Sequence, residues 1–303
     1  MLPLQMTTVM AHYLDPKNDL TFKRVFGEHK HLCMSLINSM LPLEKPIVSI
    51  EYQSGELIPR LTEVLRNTIV DVRCTDSDKR QFIVEMQLFW SESFKSRVLL
   101  NASKAYVMQL DKAEDFDLLQ PVYALNFVND KFEKSPELEN EYYHYYKIVN
   151  IKNTEKQIKG LEFLFVELPK FIPQNKAERR LHELWMRFLT EINEQTKEPP
   201  KELLENELTR EAVGYMEKAA YTKEQLEVYD KWKIAAMTER SALKDARNEG
   251  KAEGIIEGEM REKVKIAKKM LKKGKPFEDI TDATGLSVLQ LKELVSDAQN
   301  SDC

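Results

Sequence analysis

The stretch that decides the fold is Thr68–Gln87, TIVDVRCTDSDKRQFIVEMQ. Two runs rich in β-branched and aromatic residues flank a polar turn, which predicts a β-hairpin. Side chains alternate between the two faces of a strand. In the second run Phe82, Val84, Met86 and Leu88 share one apolar face, while Ile83, Glu85 and Gln87 share the other. In the first run Val70, Val72 and Cys74 lie opposite to Ile69, Asp71 and Arg73. A turn centred near Asp78 keeps the two apolar faces together. That register sets Asp71 against Glu85 and Ile69 against Gln87.

Directly opposed residues have Cβ atoms about 5 Å apart. Two carboxylates at ~5 Å repel by about 3 kcal/mol at an effective dielectric of about 20. Proton sharing, a cationic side chain such as Arg73 or Arg97, or a divalent metal would relieve this, and a solvated face would weaken it. Oxygen donors of this kind favour the hard ions Mg²⁺, Mn²⁺ or Ca²⁺.

Working outward, DPKNDLTFKRVFGEHKHLCMSLINSML begins with a turn at Asp15-Pro16. Leu20, Phe22, Val25, Phe26, Leu32, Leu36 and Ile37 then recur at helical spacing, with a break expected at Gly27. IVSIEYQSGEL reads as one strand and SRVLLNASKAYVMQLDK as a helix. PVYALNFVN, YYHYYKIVNI and LEFLFVEL read as strands. The expected core is therefore an α/β or α+β domain with a sheet of five or six strands, followed by a helical C-terminal extension.

Three regions are expected: a core over 1–174, a helical region over 175–248 broken at Pro199-Pro200, and a basic helical tail over 249–303. Trp185, Phe188 and Leu189 read as core. Gly250, Gly254 and Gly258 each weaken a helix by about 1 kcal/mol relative to Ala, which suggests a flexible or tightly packed joint.

Composition sets the outer bounds. The chain has 303 residues, 42% hydrophobic and 31% charged, as expected of a globular protein. No apolar run is long enough for a membrane span, and the N-terminus carries no secretion signal. Cys33, Cys74 and Cys303 form no C-x-x-C pair and read as reduced thiols, which points to the cytoplasm. The net charge is −5, yet Arg261–Lys275 carries eight basic residues and one acid, so a local anionic partner is expected.

DPKNDLTFKRVFG, IVDVRCTDSDKRQFIVEMQ and the following R-x8-Y-x2-Q (Arg97, Tyr106, Gln109) resemble the Rpn-type recombination-promoting nucleases, which are also described as transposases, of the PD-(D/E)XK superfamily. The resemblance covers Asp15–Leu125 well and Gly250–Leu294 loosely. It implies that Asp71 and Glu85 bind the catalytic Mg²⁺ (or Mn²⁺ or Ca²⁺), with the Met86 carbonyl completing the inner shell. The superfamily's usual lysine two residues after the second acid is replaced by Gln87, which can donate a hydrogen bond but carries no charge. Asp19 is either a further site acid or a first-turn residue favoured by the helix dipole. Lys23, Arg97 and Lys104 are candidate contacts to the DNA backbone.

In the tail, KPFEDITDATGLSVLQLKEL reads as helix, glycine turn and second helix capped by Ser287. Either a helix-turn-helix unit or a packing module fits it. Phosphate contact through Lys268, Lys269, Lys272 and Lys273 is the expected DNA-binding mode, and the C-terminal helices are candidate homo-oligomer contacts. The expected activity is metal-dependent phosphodiester hydrolysis in DNA, linked to recombination, transposition or defence. The competing reading is a non-catalytic DNA-binding or self-assembling protein on a nuclease fold.

Overall fold

The computed structural model describes residues 13–57, 68–109, 115–174 and 180–300. The expected leader-free N-terminus (1–12) and Cys303 lie outside them. The elements are α1 (Asp19–Phe22), continued by a π-turn (Lys23–Gly27), α2 (Lys30–Met40), β1 (Ile50–Tyr52), β2 (Glu56–Leu57), β3 (Thr68–Ile69), β4 (Val72–Asp76) and β5 (Gln81–Gln87). There follow α3 (Glu92–Val107), β6 (Val122–Val128), β7 (Tyr143–Asn150), β8 (Asn153–Glu167) and the helices α4 (Arg180–Glu191), α5 (Lys201–Glu205), α6 (Glu207–Gly214), α7 (Lys223–Lys272), α8 (Phe277–Thr284) and α9 (Val288–Asn300).

Six strands form one mixed sheet in the order β1-β4-β5-β6-β8-β7. β4 and β5 are antiparallel, while β5, β6 and β8 are parallel to one another. The hairpin has the expected register: Val72 pairs with Val84 and Cys74 with Phe82. On one face Val72, Cys74, Phe82, Val84, Leu125 and Phe127 pack with α2 and α4. On the other, Ile83, Ala124 and Val128 pack under Phe94, Val98, Ala102 and Ala105 of α3. Cys33 and Cys74, remote in sequence, are both buried in the first core as free thiols. The neighbouring Cys74 thiol, together with burial, pushes the Cys33 thiol well up.

Four expectations are corrected. Val70 packs in the second core, on the face opposite to Val72, because the first hairpin strand is interrupted at Val70–Asp71. Before the interruption β3 pairs with β2, so Ile69 opposes Glu56 instead of Gln87. IVSIEYQSGEL accordingly supplies two strands, β1 and β2, in different sheets. A close approach enforces this: Val70 donates its N–H to the Gly55 carbonyl at 3.0 Å, and a Cβ on Gly55 would stand 2.7 Å from the Val70 carbonyl oxygen. Finally, Gly250, Gly254 and Gly258 form no packed joint. They lie within the continuous helix α7, and nothing stands within 4 Å of where their side chains would begin.

The chain divides into two compact units, the first ending at Ala236 and the second beginning at Met237. This differs from the boundaries expected at 174/175 and 248/249; at the first of these the reason is α4. Its Trp185 is fully buried in the first core, with its ring 5.4 Å from that of Phe26, and it donates its indole N–H to Ser35 Oγ at 3.0 Å. The strands and α4 therefore share one core. In the second unit Ala267, Ile280, Leu286 and Leu291 form a small separate core. There Gly285 takes a left-handed turn (φ 69°), and Ser287 and Gln290 cap α9 reciprocally.

Candidate active site

Asp71 stands where β4 has not yet begun, beside the C-terminal half of β5. Its Oδ2 accepts the Met86 N–H at 2.8 Å, so the carboxylate takes the place of a missing ladder partner. Main-chain groups alternate direction along a strand. The Gln87 carbonyl turns to β6, where it accepts the Asn129 N–H at 2.8 Å. The Met86 carbonyl therefore faces the Asp71 side.

Glu85 is 6% exposed, on the face covered by α3. Helix α3 starts at Ser91, whose Oγ accepts the Phe94 N–H, and its apolar stripe lies on the sheet. Asn101, buried in that stripe, donates Nδ2 to Glu85 Oε1 at 3.1 Å. On the neighbouring strand Asn126 pairs in register with Glu85. The Oδ1 atoms of Asn101 and Asn126 are both buried without a partner. Arg97, one turn before Asn101, donates to Gln87 Oε1 at 2.8 Å, and its Nη2 is 3.9 Å from Glu85 Oε2. The Gln87 amide N–H in turn donates to the Phe89 carbonyl at 2.9 Å.

From the other side comes α1. Asn18 caps it by accepting the Leu20 N–H at 2.8 Å, which puts Asp19 in its first turn. Lys23, the first residue of the π-turn, lies 2.6 Å from Asp19 Oδ1 and 3.8 Å from Asp71 Oδ1. Lys23 thus links the two acids.

The electrostatics follow from burial and mutual charge. Burial pushes the Asp71 carboxyl up, and the charge of Asp19 adds to this, against the Met86 hydrogen bond, Lys23 and Arg97. Burial, then the charge of Asp71, pushes Glu85 up to about 7, against Asn101 and Arg97. The two acids feel each other, as the hairpin register requires.

The predicted residues Asp71, Glu85, Met86, Gln87, Arg97, Asp19 and Lys23 are thus brought together at one place. Lys104 lies further along α3, half-buried. Lys268, Lys269, Lys272 and Lys273 belong to the second unit and are exposed. Sequence reasoning missed Asn101 and Asn126. Asn101 had a signal, a polar residue at the buried spacing of Val98, Ala102 and Ala105; Asn126 sits likewise inside an apolar strand.

The donor set suits a hard divalent ion: two carboxylates, a main-chain carbonyl and an unpartnered amide oxygen beside Glu85, all oxygen. Among the described residues no group of three or more His, Cys, Asp or Glu side chains could hold a metal, so any further ligand would be a main-chain, amide or solvent oxygen.

A mixed α/β sheet bearing an acid pair where its antiparallel hairpin meets the parallel strands, with helices on both faces, defines a PD-(D/E)XK-type core. The model of the PD-(D/E)XK nuclease family transposase matches residues 16–246, and the chain belongs to that family. A nuclease- or transposase-like role follows from this membership. No curated protein and no solved structure matches the chain. No helix among the described residues is long and apolar enough to cross a membrane.

Proposed function

We propose that the protein is a Mg²⁺-dependent DNA endonuclease that hydrolyses phosphodiester bonds, acting in recombination, in transposition or against foreign DNA in the cytoplasm. One observation carries the reading: Asp71 replaces a strand partner of Met86 at the point where Glu85 is buried, so two acids share a site that also offers buried, unpartnered amide oxygens.

Asp71, Glu85 and the Met86 carbonyl would hold the ion, with Mn²⁺ or Ca²⁺ as substitutes. When bound, such an ion polarises a phosphate and lowers the pKa of coordinated water. Asn101 orients Glu85 through its 3.1 Å hydrogen bond. Gln87, held between Arg97 and the Phe89 carbonyl, fixes the Arg97 guanidinium, which remains about half exposed for a DNA phosphate. Asp19 acts indirectly, by fixing Lys23 beside Asp71. Lys23 and Lys104 are further phosphate contacts.

Purified protein incubated with supercoiled plasmid should nick it in Mg²⁺ and not in EDTA. Asp71→Ala and Glu85→Ala should each lower the rate by at least about a hundredfold, the scale of a lost electrostatic group at a reacting centre. Nicking that survives both substitutions refutes the assignment. The closed hydrogen-bond chain of Gln87 favours a second reading, a DNA-binding protein without catalysis. Salt-sensitive binding with no cleavage of any DNA form would establish it.

A further inference from the structure

Every residue from Glu239 to Lys263 of α7 is exposed, so this stretch of helix is packed against nothing among the described residues. A solitary helix in water is marginal unless its own side chains support it. Here they oppose it. From Glu239 to Ile256 no acid stands three or four residues from a base. Five like-charge pairs do stand at i,i+4: Arg240/Lys244, Asp245/Glu249, Arg247/Lys251, Glu249/Glu253 and Glu253/Glu257. Such pairs destabilise a helix by a few tenths of a kcal/mol each. The first intrahelical ion pair in this stretch is Glu257–Arg261, at its end.

The charges are also sorted around the helix. At about 100° per residue, Arg240, Arg247 and Lys251 fall about 60–100° to one side of Gly250. Asp245, Glu249 and Glu253 fall about 60–140° to the other side. Between the flanks runs an uncharged seam of Leu243, Ala246, Gly250 and Gly254, bounded along the helix by Glu239 and Glu257. In a parallel two-fold pair of helices the opposite flanks of the partners meet, as the e and g positions of a parallel coiled coil do. An antiparallel pair would set base against base and acid against acid.

We propose that residues 240–254 of α7 pair in parallel and in register with the same segment of a second copy of this chain. The basic flank of each copy then lies on the acidic flank of the other, with Lys244, Arg247 and Lys251 near Asp245, Glu249 and Glu253 of the opposite helix. The inference rests on α7 alone and is independent of the nuclease reading.

Light scattering on the full-length protein at micromolar concentration and low salt should give twice the 35.4 kDa chain mass, with the monomer fraction rising as salt is added. In a Cys303→Ser background, Leu243→Cys should oxidise to a covalent dimer, because in-register seam residues meet their own copies. The triple change Arg240→Glu/Arg247→Glu/Lys251→Glu should give monomers, as should Glu249→Lys/Glu253→Lys, and mixing the two should restore a heterodimer. A monomeric wild type overturns the proposal. So does a dimer that survives both charge reversals, or one in which Leu243→Cys does not cross-link. Asp71→Ala protein should dimerise as the wild type does, which separates this test from that of cleavage.

Discussion

Glu85 shows what the site demands of a single residue. A carboxyl held near 7 by burial and by Asp71 is protonated in the folded protein over a range where the unfolded chain, with its ordinary glutamate, is ionised. Folding then takes up a proton, so this group's stabilising contribution is full below the ordinary glutamate value and is lost as pH rises towards about 7. The difference between the ordinary glutamate value of 4.5 and about 7 is worth about 3 kcal/mol. Urea unfolding of metal-free protein should therefore show stability falling by about that much between acidic and mildly alkaline buffer. Glu85→Gln should flatten the profile and be the more stable variant in alkaline buffer while losing cleavage. A Glu85→Gln profile as steep as the wild type's would show that Glu85 is not the group concerned. At this scale the acids were legible, since strand alternation alone placed Asp71 and Glu85 on facing positions. Asn101, Asn126 and the bridge from Lys23 were not. They reach Glu85 or Asp71 through the docking of α3, the parallel pairing of β6 and the seating of α1, none of which local spacing encodes.

At the scale of elements, the hairpin register could be read because one wholly apolar face must meet another, and a shift by one residue would expose both. The break before Asp71 could not. It arises from a main-chain contact between Gly55 and Val70, two residues whose meeting no periodicity announces. The break is functional in consequence: because β4 begins only at Val72, the Met86 N–H is left for the Asp71 carboxylate. Gly55→Ala would force a methyl group to within 2.7 Å of a carbonyl oxygen that has no flexible side chain to yield. The expected outcome is a destabilisation of about 1–3 kcal/mol, seen as a lower urea midpoint, and a fall in plasmid nicking larger than the unfolded fraction accounts for. Equal losses of folding and activity would show that the break does not set the Asp71 position.

At the scale of the whole molecule, charge distribution matters more than net charge. A chain of net charge −5 has little general attraction for DNA, so affinity must come from local clusters. Two are available. Lys23 and Arg97 flank the acid pair in the first unit, with Lys104 further along α3, and Lys268, Lys269, Lys272 and Lys273 stand at the C-terminal end of α7 in the second. The tail lysines are exposed, whereas Val264, Ala267 and Leu271 build the small core, so packing does not consume the lysines. The α8–α9 turn forms as expected, with Gly285 left-handed and Ser287 capping. Its second helix still offers one lysine, Lys292, so backbone contact is the mode its composition supports. Each phosphate neutralised adds about 0.9 to the slope of log affinity against log salt. Replacing the four tail lysines by Gln should therefore lower that slope by about three to four and weaken all duplex sequences alike, with cleavage at saturating DNA unchanged. The slope is read from fluorescence anisotropy titrations of a labelled duplex at several salt concentrations, in Ca²⁺ to hold back cleavage. An unchanged slope would confine DNA contact to the first unit and leave the tail lysines as solvated surface.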